Sequence, residues 1–382
     1  MYKKFISILS AWSAIAVLML GLSPIAHGAT ATIYENPVGP TGSNRGPFGI
    51  AVGPDGNIWY ANSTGNSIGV MSSVGTLLNT FTAGLTAGGL PTGITYATND
   101  GNFWVTVQNT DKIAEVTTTG TITEHDLTDG CRPVGVIEAS DNNIWFTCFS
   151  TNTINKLDPA TNTITAYSVT GSPNDIIEGP DNNIWFTAFN GDYIGRVTLA
   201  GAVLSPFNVT TNRAPNFLTV GPDSNIWFTN FDDNSIQAMN TSGTTVAYFP
   251  TGTPTSRPFG ITTSADGYIW YTMYDGNIIT RMTTAGVMDK FQVPTGNSKP
   301  SLIVEGPGNN IFFSELNNNA IGKLVVSSIN TSGGGGTTPS APNTSSLVNK
   351  TNAVPIAAGV LALLAALAVA GFWIKSEFKN KK

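Results

Sequence analysis

The chain has 382 residues, 41 glycines, 22 prolines and 11% charged side chains, and its 41% hydrophobic content excludes a wholly disordered polypeptide. Residues 30–349 hold eleven Lys and Arg against twenty-three Asp and Glu, a balance of −12. Nucleic-acid phosphates require clustered basic side chains, so that class of partner is excluded. Two cysteines are too few for a disulfide scaffold or a zinc site.

The chain opens with Lys3 and Lys4, an apolar run from Phe5 to Leu22, then Pro24 and the small-residue stretch 26–29. That order predicts a signal peptide over residues 1–28, with a retained N-terminal anchor as the alternative. Residues 31–326 form the body. Residues 327–353, rich in Gly, Ser and Thr, read as a linker. Residues 354–374 are uncharged and long enough to span a bilayer as a transmembrane helix, and a basic tail, 375–382, follows. The basic tail is expected to stay cytoplasmic. The expected location is the cell membrane, single-pass, with the body extracellular.

Within the body an aromatic-centred strand recurs at Trp59, Trp104, Trp145, Trp185, Trp227, Trp270 and Phe312, at spacings of 45, 41, 40, 42, 43 and 42. Such a period with short strands selects a propeller. Each unit parses into four strands. An inner strand follows an x-Pro-x-Gly-Ile pattern, as in Arg257-Pro258-Phe259-Gly260-Ile261, and a tight turn carries pairs such as Asp55-Gly56 or Asp141-Asn142. The aromatic strand, a third strand such as 194–197 and an outer strand such as 162–166 complete the unit. The seventh unit has no fourth strand of its own, and the orphan segment 31–37 at the start supplies it. The expected fold is therefore all-β: a seven-bladed β-propeller of four-stranded blades, the ring closed by the N-terminal strand, plus the C-terminal transmembrane helix.

The combination of x-Pro-x-Gly-Ile, Gly-Pro-Asp-Gly-Asn-Ile-Trp and Asn-x-Ile-Gly-Arg-Val resembles the virginiamycin B lyase (streptogramin lyase) family over residues 31–326. That resemblance implies linearisation of a cyclic depsipeptide. A base takes the proton beside the ester carbonyl, the ester C–O bond breaks by elimination, and Mg²⁺ holds the oxygen side. It also implies histidines after the inner-strand prolines of the last two blades and a glutamate near the final aromatic-strand exit. Here those two positions are Phe259 and Ser301, the acidic residue expected before the second proline is Lys299, and only Glu315 resembles a retained acid. Phe259 cannot exchange a proton, and Ser301 needs a base to activate it. The lone histidine of the body, His125, falls on an outer strand and reads as a surface residue.

Propellers bind ligands where inner strands begin and second strands end. The residues expected there are Phe48, Arg132, Asn174, Asn216, Asn230, Arg257, Phe259, Tyr274, Lys299 and Ser301, with Glu315 as the one candidate catalytic acid. Such a mouth suits a small molecule, a glycan or a surface protein. Aromatics that only pack loops between blades are the alternative. Cys131 and Cys148 sit at paired ends of two strands of one blade, so a disulfide and two free thiols both stay open. The function expected from the residues is a surface module that binds a ligand or partner without the family's catalysis and with no cofactor. The alternatives are a Mg²⁺-dependent C–O lyase and a purely structural envelope propeller.

Overall fold

In the computed structural model, residues 29–39, 46–210 and 213–327 are described. They form seven antiparallel sheets of four strands each, with two short 3₁₀ turns and no helix long and apolar enough to cross a membrane among the described residues. The expected signal peptide, most of the linker, the transmembrane helix and the basic tail lie outside the described residues.

Blades 1 to 6 are consecutive four-strand meanders. Their inner strands are Pro47–Val52, Pro91–Tyr96, Pro133–Glu138, Pro173–Glu178, Pro215–Val220 and Pro258–Thr263. Blade 7 contains Pro300–Gly306, Asn310–Glu315 and Ala320–Ser327, and its outer place is taken by Thr30–Pro37. Thr30 pairs with Ser327 and Pro37 with Ala320, so eight residues of the N-terminal strand close the ring. The third strand runs one residue further into the expected linker, through Ser327.

The second strands carry the core. Trp104, Trp145, Trp185, Trp227, Trp270 and Phe312 are all buried, each between its own sheet and the next. Indole N–H groups need partners when buried, and the hairpin turn supplies them. Trp104, Trp185 and Trp227 donate to Asp100, Asp181 and Asp223 at 2.9, 2.7 and 2.9 Å. The Asp that permits the turn thus also fixes the indole four residues later.

A hydroxyl clasp joins each blade to the following one. The Thr or Ser two residues after the central aromatic accepts an N–H from its own inner strand and donates to an inner-strand carbonyl of the next blade. Thr187 Oγ1 takes the Asp175 N–H at 3.0 Å and gives its proton to Asn216 O at 2.7 Å. Thr106, Thr147, Thr229, Thr272 and Ser314 repeat the arrangement around the ring. Blade 1 has Ala61 at that position, and Ser63 makes the bond to Pro91 O at 2.7 Å. The clasp draws neighbouring inner strands so close that Gly49 and Gly93 are required. A Cβ there would lie 2.1 Å from Thr92 O and 2.2 Å from Val134 O.

Candidate binding face

The rim of the ring is built by one repeated backbone device. The residue before each inner-strand proline lies in the left-handed region: Gly46, Leu90, Arg132, Ser172, Ala214, Arg257 and Lys299, with φ between 47° and 60°. For a residue with a side chain this costs about 1–3 kcal/mol, so something must hold it there. Two bonds do. A side-chain oxygen from the turn of the preceding blade accepts the N–H in several blades, as Asp111 does for Arg132 at 2.7 Å and Asn234 for Arg257 at 2.8 Å. The carbonyl then accepts the N–H of the first residue beyond the second strand, as Arg257 O does for Tyr274 and Lys299 O for Leu316. Each blade therefore brings two rim positions together, one before the proline and one beyond the second strand.

In blades 3 to 6 the second of these is aromatic, and the rings touch in sequence. Phe149 meets Phe189 at 6.4 Å, Phe189 meets Phe231 at 6.1 Å, Phe231 meets Phe259 at 5.9 Å and Phe259 stacks on Tyr274 at 5.3 Å. Phe48 and Phe217 pack on Phe259 from the channel side, at 5.7 and 4.8 Å. All five rings of this arc are half-buried, as is Phe48. Arg257 lies over Phe231 at 5.0 Å and Lys299 over Tyr274 at 4.8 Å. Asp275 bridges the two cations, 3.2 Å from Arg257 Nη1 and in direct contact with Lys299 Nζ. One carboxylate between two cations leaves a net positive spot, and Arg257, 49% exposed, presents it to solvent.

Of the expected residues, Phe48, Arg257, Phe259, Tyr274 and Lys299 come together in this arc. Arg132 stands exposed on blade 3, and Phe149 N–H bonds to its carbonyl. Asn174 and Asn216 are buried and bonded to each other, Nδ2 to Oδ1 at 2.7 Å, which leaves Asn216 Nδ2 without a partner. Ser301 is buried and donates to Lys299 O. Asn230 is enclosed inside blade 5, donating to Ser235 Oγ at 3.0 Å. His125, expected at the surface, is instead packed, its ring 5.6 Å from that of Trp104 and its side chain 17% exposed.

Glu315 ends the second strand of blade 7 and is fully buried. Burial pushes its carboxyl up to about 8, against the pull of the Asn318 amide that donates to Oε2 at 2.9 Å, and the Glu35 carboxyl nearby raises it further. Its Oε1 has no hydrogen-bond partner among the described residues. Asp175 is a second neutral-leaning acid. It stands in blade 4 where blades 1, 2, 3 and 6 have glycine, and burial pushes it up to about 7 although Leu218 N–H bonds to Oδ2 at 3.0 Å.

Mg²⁺ favours ionised, solvent-facing carboxylates and retains several waters. Glu315 is enclosed, and its backbone neighbour across the pair is Pro300, beside the Lys299 ammonium. Those residues do not fit the ion, and among the described residues no three His, Cys, Asp or Glu converge. Cys131 and Cys148 are joined by a disulfide, Cα atoms 4.7 Å apart, next to the Pro133–Cys148 pair that opens blade 3.

Sequence reasoning passed over Phe217 and Asp275 as site residues. Phe217 was detectable as a departure from glycine in the inner-strand pattern. Asp275 sits in an ordinary turn sequence and carries no such signal.

The fold and rim define a seven-bladed propeller with a polarised aromatic mouth. The sequence pattern of the virginiamycin B lyase family matches residues 28–213 and 172–343, and the chain belongs to that family. Among solved structures, a streptogramin B lyase is 29% identical, with a TM-score of 0.73 over 79% of this chain and 99% of that one. A catalytically inactive histidine-to-alanine variant of virginiamycin B lyase from Staphylococcus aureus, solved with quinupristin, is 28% identical, with a TM-score of 0.71 over 77% of this chain and 99% of its own. The extracellular domain of a hybrid two-component system protein from B. thetaiotaomicron shares the fold alone: 14% identity, TM-score 0.59, 74% of this chain and 40% of that one. No curated protein sequence matches the chain.

Proposed function

We propose that this protein is a surface propeller that binds a ligand at the aromatic arc of blades 3 to 6 and does not run the lyase chemistry of its family. The observation that carries this reading is the occupancy of Phe259. It lies at the centre of the arc, in contact with Phe48, Phe217, Phe231 and Tyr274, at a position where the family resemblance implies a histidine. Proton abstraction needs a group that exchanges protons near neutral pH, and a phenyl ring has none. The one histidine among the described residues is stacked on Trp104 at the outer strand of blade 2. Replacement of a single histidine accompanies inactivity in the Staphylococcus aureus enzyme.

The arc recognises a flat apolar group by stacking, and the Arg257–Asp275–Lys299 cluster adds attraction for a negatively charged or strongly accepting substituent. The ligand is accordingly an aromatic or ring-bearing small molecule, or a glycan or protein segment presenting such a group. Its place is the outer side of a membrane, held there by the helix expected over residues 354–374. The second reading, a C–O lyase, draws on Glu315, a buried acid pushed up to about 8 whose Oε1 has no hydrogen-bond partner among the described residues.

The test incubates the full chain with quinupristin and Mg²⁺, with a chelator control and Glu315→Gln beside it. Mass spectrometry follows linearisation, and intrinsic fluorescence follows binding. The expected result is saturable binding weakened by Phe259→Ala, with no linearised product. Turnover that the chelator and Glu315→Gln abolish overturns the binding-module reading.

A further inference from the structure

The cleft between blades 6 and 7 differs from its counterparts because of how the ring closes. On the third strand, directly opposite the central aromatic, blades 3, 4, 6 and 7 carry Lys156, Arg196, Arg281 and Lys323. Three of these cations reach into the following blade and donate to a main-chain carbonyl in the turn between its third and outer strands. Lys156 Nζ reaches Leu199 O at 3.1 Å, Arg196 Nη1 reaches Thr241 O at 3.2 Å and Lys323 Nζ reaches Ser73 O at 2.9 Å. The three turns share one frame: residues 198–202, 240–244 and 72–76 each have glycine at the fourth place, at φ +91°, +86° and +95°.

Among the described residues no such turn faces Arg281. In blade 7 the third strand pairs with the N-terminal strand, so its ladder runs straight on through Val325–Thr32, Val326–Ala31 and Ser327–Thr30. In register, Val326 stands where Leu199, Thr241 and Ser73 stand elsewhere. A cavity of about 350 Å³ opens there, lined by Tyr268, Arg281, Asn309, Val325, Val326 and Ser327. Arg281 is only 4% exposed. Its Nη2 is held by Asp289 at 2.7 Å, its Cζ lies 4.3 Å from the centre of the Tyr268 ring, and its Nε has no partner among the described residues.

We propose that this seam is a docking site for a β-turn of a partner polypeptide, of the x-x-x-Gly-x frame that fills the equivalent clefts from within the chain. The recognised atom is a main-chain carbonyl oxygen, taken by the Arg281 guanidinium as its counterparts take Leu199, Thr241 and Ser73. An uncharged acceptor fits better than a carboxylate or phosphate, because Asp289 already balances Arg281 and Asp266 at the lip adds negative charge. The valines of the straightened strand supply the apolar wall that a turn's side chains need.

The probe is a labelled cyclic peptide containing Asn-Thr-Ser-Gly-Thr, the sequence of residues 240–244, titrated with the full chain to about 1 mM and read by fluorescence anisotropy. Saturable binding is expected. Arg281→Met and Ser327→Trp should each weaken it at least about tenfold, the worth of one charge-assisted hydrogen bond or of the filled space. Arg196→Met, in a cleft already filled by the chain's own turn, should leave it unchanged. Ser327 is exposed, so Ser327→Trp should keep the parent melting temperature and separate docking from folding. No saturable binding, or binding untouched by Ser327→Trp at an unchanged melting temperature, overturns the proposal.

Discussion

Blades 3 to 6 and blades 7, 1 and 2 share one backbone and differ at the rim. In the first group the residues beyond the second strand are Phe149, Phe189, Phe231 and Tyr274, and four ring contacts link them through Phe259. In the second group the same positions hold Leu316, Ser63 and Gln108, of which Ser63 is consumed by the clasp to Pro91. The seven left-handed residues and their paired carbonyls are alike in both. A repeat scaffold can thus confine a binding surface to one arc of a ring without altering the ring. Side-chain identity at three positions per blade, the two flanking the inner-strand proline and the one beyond the second strand, sets the difference.

The largest expected effect breaks the aromatic side at its anchor in blade 3. Removing the disulfide by Cys131→Ser with Cys148→Ser should cost about 3 kcal/mol for a closed loop of this length. Chemical denaturation measures it, and a loss under 1 kcal/mol would show that packing alone holds the end of that blade. Phe259→Ala is next. It removes a ring in contact with four others, so about 2–3 kcal/mol of stability should go together with ligand affinity. Leu316→Ala, at the arc position of blade 7, should leave ligand affinity unchanged, which titration checks.

The pH dependence sharpens the comparison because each side holds one neutral-leaning acid, Asp175 near 7 and Glu315 near 8. Both folded values lie above the unfolded ones. Between about pH 4.5 and 7 the native state retains protons that the unfolded state releases, so stability falls as pH rises. The slope is at most about 1.4 kcal/mol per pH unit for each group. Melting curves from pH 5 to 8 should therefore shift downward, and Glu315→Gln should remove its share of the slope, including the part between pH 7 and 8. An unchanged slope in that variant contradicts the assignment.

The clasp gives a smaller effect. Thr187→Val in blade 4 and Ser63→Ala in blade 1 should each cost about 1–2 kcal/mol, despite the different position of the hydroxyl in the two blades. Smallest is Arg257→Gly. Relief of the φ of 49° should stabilise by about 1 kcal/mol while ligand affinity drops, so melting temperature and binding move in opposite senses.

The ring, the blade count and the closing strand were legible in the sequence. The Trp period and the Asp-Gly turns are local signals that repeat in register, and the turn Asp finds its indole partner four residues away. The proline after each left-handed residue was legible too, but the φ of Arg132, Arg257 and Lys299 was not. Those residues have ordinary side chains, and a side-chain oxygen of the preceding blade holds the conformation, Asp111 for Arg132 and Asn234 for Arg257. The burial of Asn230 and Ser301, expected at the mouth, follows from the same cause: the second strand and the proline step lie beneath the rim pair.

What the sequence determined is everything with a period, because a repeat that cannot bury its face alone must stack on a copy of itself. What only the tertiary structure decided is whatever depends on the one place where the period breaks or on contact between blades. Phe259 gathers rings from two other blades, and Asp275 joins a cation of its own blade to one of the next. Arg281 faces a cleft because blade 7 is completed by a strand some three hundred residues away in sequence. No local pattern encodes those distances; closing the ring sets them.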